Sequence, residues 1–159
     1  MTPRFLTVTS LPADRGEWGG LIILGNATIA RPSDPTDNIE GIAREPKRVP
    51  FTVATMTKTT AGVLRYVSIR HGGAQLSADN EINGLTLGGV GSGTTIEYVD
   101  VFANLDDGIE WFGGTVDVSH ATVAFCGDDA FGLRLQGWRG TRPVLVCHAG
   151  ARHQHRSFW

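Results

Sequence analysis

The chain repeats itself. Thr95-Ile96-Glu97-Tyr98-Val99-Asp100-Val101, then four residues, then Asp106-Asp107-Gly108-Ile109 makes one unit. Asp117-Val118-Ser119-His120-Ala121-Thr122-Val123, then four residues, then Asp128-Asp129-Ala130-Phe131 makes the next. Every matched position is offset by 22 residues, without a gap. A looser copy, Leu64-Arg65-Tyr66-Val67-Ser68-Ile69, begins 32 residues before Ile96. Its extra length falls to the Ala78-Asp79-Asn80-Glu81 loop and the Gly91-Ser92-Gly93 turn. A period of roughly 20–50 residues marks a solenoid, a propeller or another array of stacked units. The unit holds two or three short strands and no helix, which excludes ankyrin and tetratricopeptide arrays, and it has no leucine ladder. It is also shorter than a propeller blade of about 40–45 residues. What remains is an all-β, single-stranded solenoid: a right-handed parallel β-helix in which each coil stacks its strands on the one before. Inward residues Ile96, Tyr98 or Val99, and Val101 are expected to pile onto Val118, Ala121 and Val123.

The rest of the chain agrees with that reading. Strand-like runs are expected at 5–8, 21–24, 63–69, 82–87, 96–101, 109–112 and 121–125, punctuated by many of the 21 glycines. No useful window places apolar residues at i, i+3, i+4 and i+7, so no helix is expected. Residues 1–140 form the predicted solenoid, expected to be a fragment of a longer one, and 141–159 an irregular tail. Charged residues make up 19% and the net charge is −2, with no basic stripe for nucleic acid. No run approaches the roughly 20 apolar residues that a membrane helix needs, and Met1-Thr2-Pro3-Arg4-Phe5 begins no signal peptide. Of two cysteines, Cys126 follows Val123-Ala124-Phe125 and reads as a small core residue, while Cys147 lies in the tail.

Three segments carry a resemblance: residues 16–25 (Gly-Glu-Trp-Gly-Gly-Leu-Ile-Ile-Leu-Gly), 77–87 (Ser-Ala-Asp-Asn-Glu-Ile-Asn-Gly-Leu-Thr-Leu) and 106–114 (Asp-Asp-Gly-Ile-Glu-Trp-Phe-Gly-Gly). Together they resemble a family of exported bacterial proteins with β-helix-like repeats, often labelled lipoproteins, over roughly residues 6–140. The resemblance implies a β-helix and an extracellular or cell-envelope location, with any targeting segment upstream. It carries no catalytic activity. Two stretches depart from the family. Residues 50–60 replace an Asp/Asn/Gly-rich loop, and the Arg/His-rich text after Thr141 replaces a strand. Read one base over, both stretches permit the expected sequence, so compensated frameshifts and ordinary divergence are the two explanations. If the frames are shifted, 50–60 and 142–159 were not selected for this fold and are expected to pack poorly, while 62–131 is regular.

Asp106-Asp107 and Asp128-Asp129 occupy equivalent points one coil apart, about 4.8 Å along the axis if the coils stack in register. Carboxylates that close must face water, where Asp supplies turn hydrogen bonds, or share a cation. Oxygen ligands suit Ca²⁺, and Glu110 and Asp100 are candidates to complete such a site. No other cofactor and no catalytic residue is expected. β-Helix enzymes that cleave acidic polysaccharides pair Asp clusters with an Arg or Lys base; the candidates are Arg65 and Arg70, with His71 and His120. Trp18, Trp111 and Phe112 either stack on a sugar ring or pack internally. His153-Gln154-His155 lies in the tail, and Gly88-Gly89-Val90-Gly91-Ser92-Gly93 lacks the Lys-Ser/Thr and helix of a phosphate loop. The expected function is a non-catalytic, extracellular or cell-envelope solenoid with a binding or adhesion surface. Its partners would be carbohydrate or an envelope protein. The alternative is a polysaccharide lyase or hydrolase of the β-helix class.

Overall fold

The computed structural model describes residues 13–27, 29, 39, 58–78 and 80–134. Among these residues the chain forms ten strands and no helix. β1 (Leu21–Leu24), β5 (Leu85–Val90), β7 (Ile109–Gly114) and β10 (Phe131–Arg134) stack as one parallel sheet. β2 (Val63–Arg70), β6 (Thr95–Phe102), β8 (Val118–Ser119) and β9 (Thr122–Ala124) form a second. Along the chain the strands pass from one sheet to the other, so that each coil adds a strand to both, and the architecture is a parallel β-helix. Ile96 pairs with Val118 and Val101 with Val123, the register of the 22-residue repeat. Val63 pairs with Thr95, the register of the 32-residue copy.

The longer coil absorbs its extra residues at two corners. Residues 71–84, between β2 and β5, hold a small antiparallel pair of β3 (Gln75–Ser77) and β4 (Asn80–Glu81). The corresponding corner between β6 and β7 spans only 103–108. The remainder lies in the turn at Gly91-Ser92-Gly93, where Thr94 N–H donates to the Gly91 carbonyl. The strand expected at 82–87 therefore begins later, at Leu85, because Ile82, Asn83 and Gly84 turn the corner.

Alternation alone does not describe the second sheet. Tyr66, Tyr98 and His120 occupy equivalent positions with φ of 55°, 54° and 54°. A left-handed residue in mid-strand costs on the order of 1 kcal/mol. Each one bends the strand and shifts the in–out alternation by one residue. Ile96, Val99 and Val101 are therefore buried while Tyr98 is outward, which settles the choice between Tyr98 and Val99 in favour of Val99.

The core is a set of stacked columns. Leu85, Leu87, Ile109 and Trp111 come from the first sheet, and Ile69, Ile96, Val99, Val101, Val118 and Val123 from the second. Cys126 is buried beside them, as its apolar context suggested. β5 and β7 are buried on both faces, because Ile39 packs against Gly88 and Ile29 against Gly113 on the outer side. Gly113 has φ +66°, and a Cβ there would lie 2.7 Å from the Ile29 side chain, so only glycine fits. The run expected at 5–8, residues 50–57 of the first anomalous stretch, and the tail with Cys147 and His153-Gln154-His155 lie outside the described residues. Among the described residues between 62 and 131 the coils are regular.

Candidate functional site

Two successive corners carry the acidic pairs. Asp106 and Asp107 turn the chain from β6 into β7, and Asp128 and Asp129 do the same from β9 into β10. The corners stack through backbone bonds: Gly84 N–H donates to the Asp107 carbonyl and Gly108 N–H to the Asp129 carbonyl, both at 2.9 Å. This stacking places ligand oxygens of Asp106, Asp107 and Asp128 within 4.8 Å of one another. Asp129 stands outside that triad. Its backbone N–H donates to Asp107 Oδ1 at 3.0 Å.

The acidic corner continues inward. Glu110, the second residue of β7, is buried, and Asn83 Nδ2 donates to its Oε2 at 2.5 Å. Asn83 is itself buried, and its Oδ1 has no hydrogen-bond partner among the described residues. Asp107 and Glu110 meet over Gly132. A Cβ on Gly132 would collide with Asp107 Oδ2 and lie 2.8 Å from Glu110 Cγ. Burial, followed by the neighbouring charges of Asp106 and Glu110, pushes the Asp107 carboxyl up to about 8. The Asp129 N–H pulls the other way but does not prevail. Burial and these charges thus favour the protonated form of Asp107.

The other candidate residues lie elsewhere or are engaged. Asp100 does not join the cluster. It sits on the outer face of β6, where Ser68 Oγ (2.6 Å) and Arg70 Nη2 (2.8 Å) bond its Oδ2. Arg65 is paired with Glu97 at 3.0 Å, and the Arg70 guanidinium lies 4.8 Å over the Phe102 ring. His71 is buried, with Nδ1 2.5 Å from the Asp14 carbonyl. His120 stacks on Tyr98. Trp111 and Phe112 are core residues, whereas Trp18 is half-exposed. Burial pushes the Cys126 thiol up to about 11, so it is not a nucleophile at neutral pH.

Two residues near the corner escaped the sequence reading. Asn83 lies in the 77–87 motif, but nothing in its spacing linked it to Glu110. Arg15 carries no motif at all. Its Nη1 lies 3.3 Å from the point where a Cβ on Gly127 would stand, one residue before Asp128. Only folding brings the segment around Arg15 against this corner, through Gly16 N–H to the Gly72 carbonyl and Leu105 N–H to the same acceptor.

The described residues contain no helix long and apolar enough to cross a membrane. No curated protein and no solved structure matches the chain. A family model described as a pectate-lyase-like β-helix domain matches residues 1–157. With two parallel sheets wound coil upon coil and that match over nearly the whole length, the chain belongs to the family of pectate-lyase-like β-helix domains.

Proposed function

We propose that this chain is a carbohydrate-binding β-solenoid of the bacterial extracellular space or cell envelope, and that Ca²⁺ held by Asp106, Asp107 and Asp128 links it to an acidic glycan. The observation that carries the reading is the convergence of three carboxylate ligands within 4.8 Å on adjacent corners. Oxygen-only ligands from a turn suit Ca²⁺, which takes six to eight of them. Three carboxylates leave coordination positions for water or for uronate oxygens of a glycan. A cation also answers the electrostatic problem at Asp107, whose ionisation burial and the neighbouring carboxylates oppose. Export and lipid anchoring rest on the sequence resemblance, and the carbohydrate on the family.

Calorimetric titration of Ca²⁺ and Mg²⁺, followed by polygalacturonate with and without Ca²⁺, tests this proposal. Ca²⁺ is expected to bind in preference to Mg²⁺, to raise the melting temperature by mass action, and to be required for polygalacturonate binding. A melting temperature indifferent to Ca²⁺ rejects the cation, and glycan binding that persists in chelator rejects the link. The observation that favours catalysis as a second reading is Arg15 beside Gly127. A lyase acting here would take the C5 proton of a uronate with Arg15, forming the C4–C5 double bond as the C4–O glycosidic bond breaks and the sugar on that oxygen leaves. Formation of an unsaturated product by the wild type and its loss in Arg15→Ala would replace binding with cleavage as the function.

A further inference from the structure

The chain has two tyrosines, Tyr66 and Tyr98, and folding sets one ring on the other. They come from adjacent strands. Arg65 of β2 pairs with Glu97 of β6 and Val67 with Val99, so Tyr66 and Tyr98 stand side by side. Both take the same left-handed backbone conformation, with φ of 55° and 54°, so the two side chains leave their strands in the same direction. The ring centroids are 4.9 Å apart and the planes lie within 12° of parallel, which carries the spacing of neighbouring strands out to the rings. His120 stacks on Tyr98 at 4.4 Å, so Tyr98 is enclosed between Tyr66 and an imidazole.

Rings stacked along the solenoid axis turn their faces along that axis and their edges outward. Tyr66 is 77% exposed and Tyr98 43%, so these edges meet solvent. Side-chain bonds tie the two strands together on either side of the pair. Arg65 Nε donates to Glu97 Oε2 at 3.0 Å, and Ser68 Oγ and Arg70 Nη2 donate to Asp100 Oδ2 at 2.6 and 2.8 Å. Two phenols held in contact react as if each were highly concentrated around the other. Among the described residues β2 is also the end strand of its sheet, paired with β6 on one side only. A coil with a neighbour on one side opens before the coils inside.

We propose that Tyr66 and Tyr98 form an oxidative cross-linking site, at which a haem peroxidase charged with hydrogen peroxide joins the two rings and staples β2 to β6. The oxidant takes one electron and the phenolic proton from each tyrosine. The two phenoxyl radicals then couple through a ring carbon ortho to each oxygen, forming one Cε–Cε bond. The hydrogen on each coupled carbon passes to the oxygen of its own ring, which restores both phenols. The protein loses two hydrogen atoms, and one hydrogen peroxide becomes two waters. The link closes a long loop, from residue 66 to residue 98, and so restricts the unfolded chain. It uses no carboxylate of the acidic corner and needs no cation there.

The test is oxidation of the whole chain, in chelator and at low protein concentration, with a haem peroxidase and hydrogen peroxide under conditions that couple free tyrosine. The expected product is a monomer lighter by two hydrogens, with dityrosine fluorescence and a proteolytic digest that holds Tyr66 and Tyr98 in one linked peptide. Tyr66→Phe and Tyr98→Phe keep a stacked ring, so each should abolish that product while leaving the circular dichroism of the fold unchanged. The cross-linked chain should unfold at a higher urea concentration than the untreated one, and an unchanged midpoint overturns the staple. A monomer whose tyrosines stay unlinked overturns the site. So does coupling between chains only, as Tyr66–Tyr66 dimers, or a digest that shows hydroxylated tyrosine or a Tyr98–His120 link in place of the tyrosine pair.

Discussion

Replacing Asp107 by Asn should change how stability depends on pH more than it changes the fold. Asn keeps the acceptor that the Asp129 N–H bonds at 3.0 Å and nearly the same volume above Gly132. What it removes is an ionisation. The Asp107 carboxyl is raised from 3.8 to about 8 in the folded chain, by burial first and then by Asp106 and Glu110. A carboxyl raised by folding contributes stability that is fully present below its unfolded value and is lost as pH rises through the folded value. Between those limits the unfolded state releases the proton while the folded state keeps it, at about 1.4 kcal/mol per pH unit. Going from about pH 5 to about pH 7 in chelator should thus cost the wild type on the order of 2.5 kcal/mol. The variant should lose much less. Urea unfolding of both proteins across that range, with and without Ca²⁺, measures the difference. The Ca²⁺-loaded wild type should lose most of the slope, because the cation then favours the charged carboxylate. Parallel pH profiles for wild type and variant would refute the reasoning, since they would place the titrating group elsewhere.

Other outcomes follow from the packing. Gly132→Ala should cost roughly 1–3 kcal/mol by overpacking, because its Cβ has no room beside Asp107 and Glu110; a neutral result in urea unfolding would contradict that closeness. Ile96→Ala empties a column position between Leu64 and Val118 and should cost roughly 2–5 kcal/mol, whereas truncating outward Tyr98 should cost less. Equal costs would contradict the parity shift at the left-handed residue. Cys126 should resist a thiol reagent until the chain unfolds, so its modification rate in native buffer should match the global opening rate; fast labelling of the native protein would deny its burial.

How much of this was legible in advance varies from element to element. The 22-residue offset specified the register of β6 on β8 and β9, because in-register stacking puts identical positions of successive coils above one another. The same repeat brings Asp106, Asp107 and Asp128 together. It did not separate Asp129 from them, because neighbouring residues at a corner point in different directions and spacing carries no angle.

The sequence by itself determined the solenoid, its coil length, the corners where glycines and aspartates sit, and the columns of the core. Those properties are local or repeat from coil to coil, so each unit states them again. Only the tertiary structure decided which side of the chain Tyr98 faces. A single left-handed residue reverses the alternation beyond it, and a Tyr or His does not announce that conformation as a glycine would. Only the tertiary structure, likewise, set Asn83 against Glu110 and Arg15 against Gly127. These contacts join segments 27 and 112 residues apart in the chain, and they arise from winding rather than from any pattern along it. The desolvation that raises Asp107 belongs to the same class, because burial is a property of the stacked corners and not of the Asp-Asp pair.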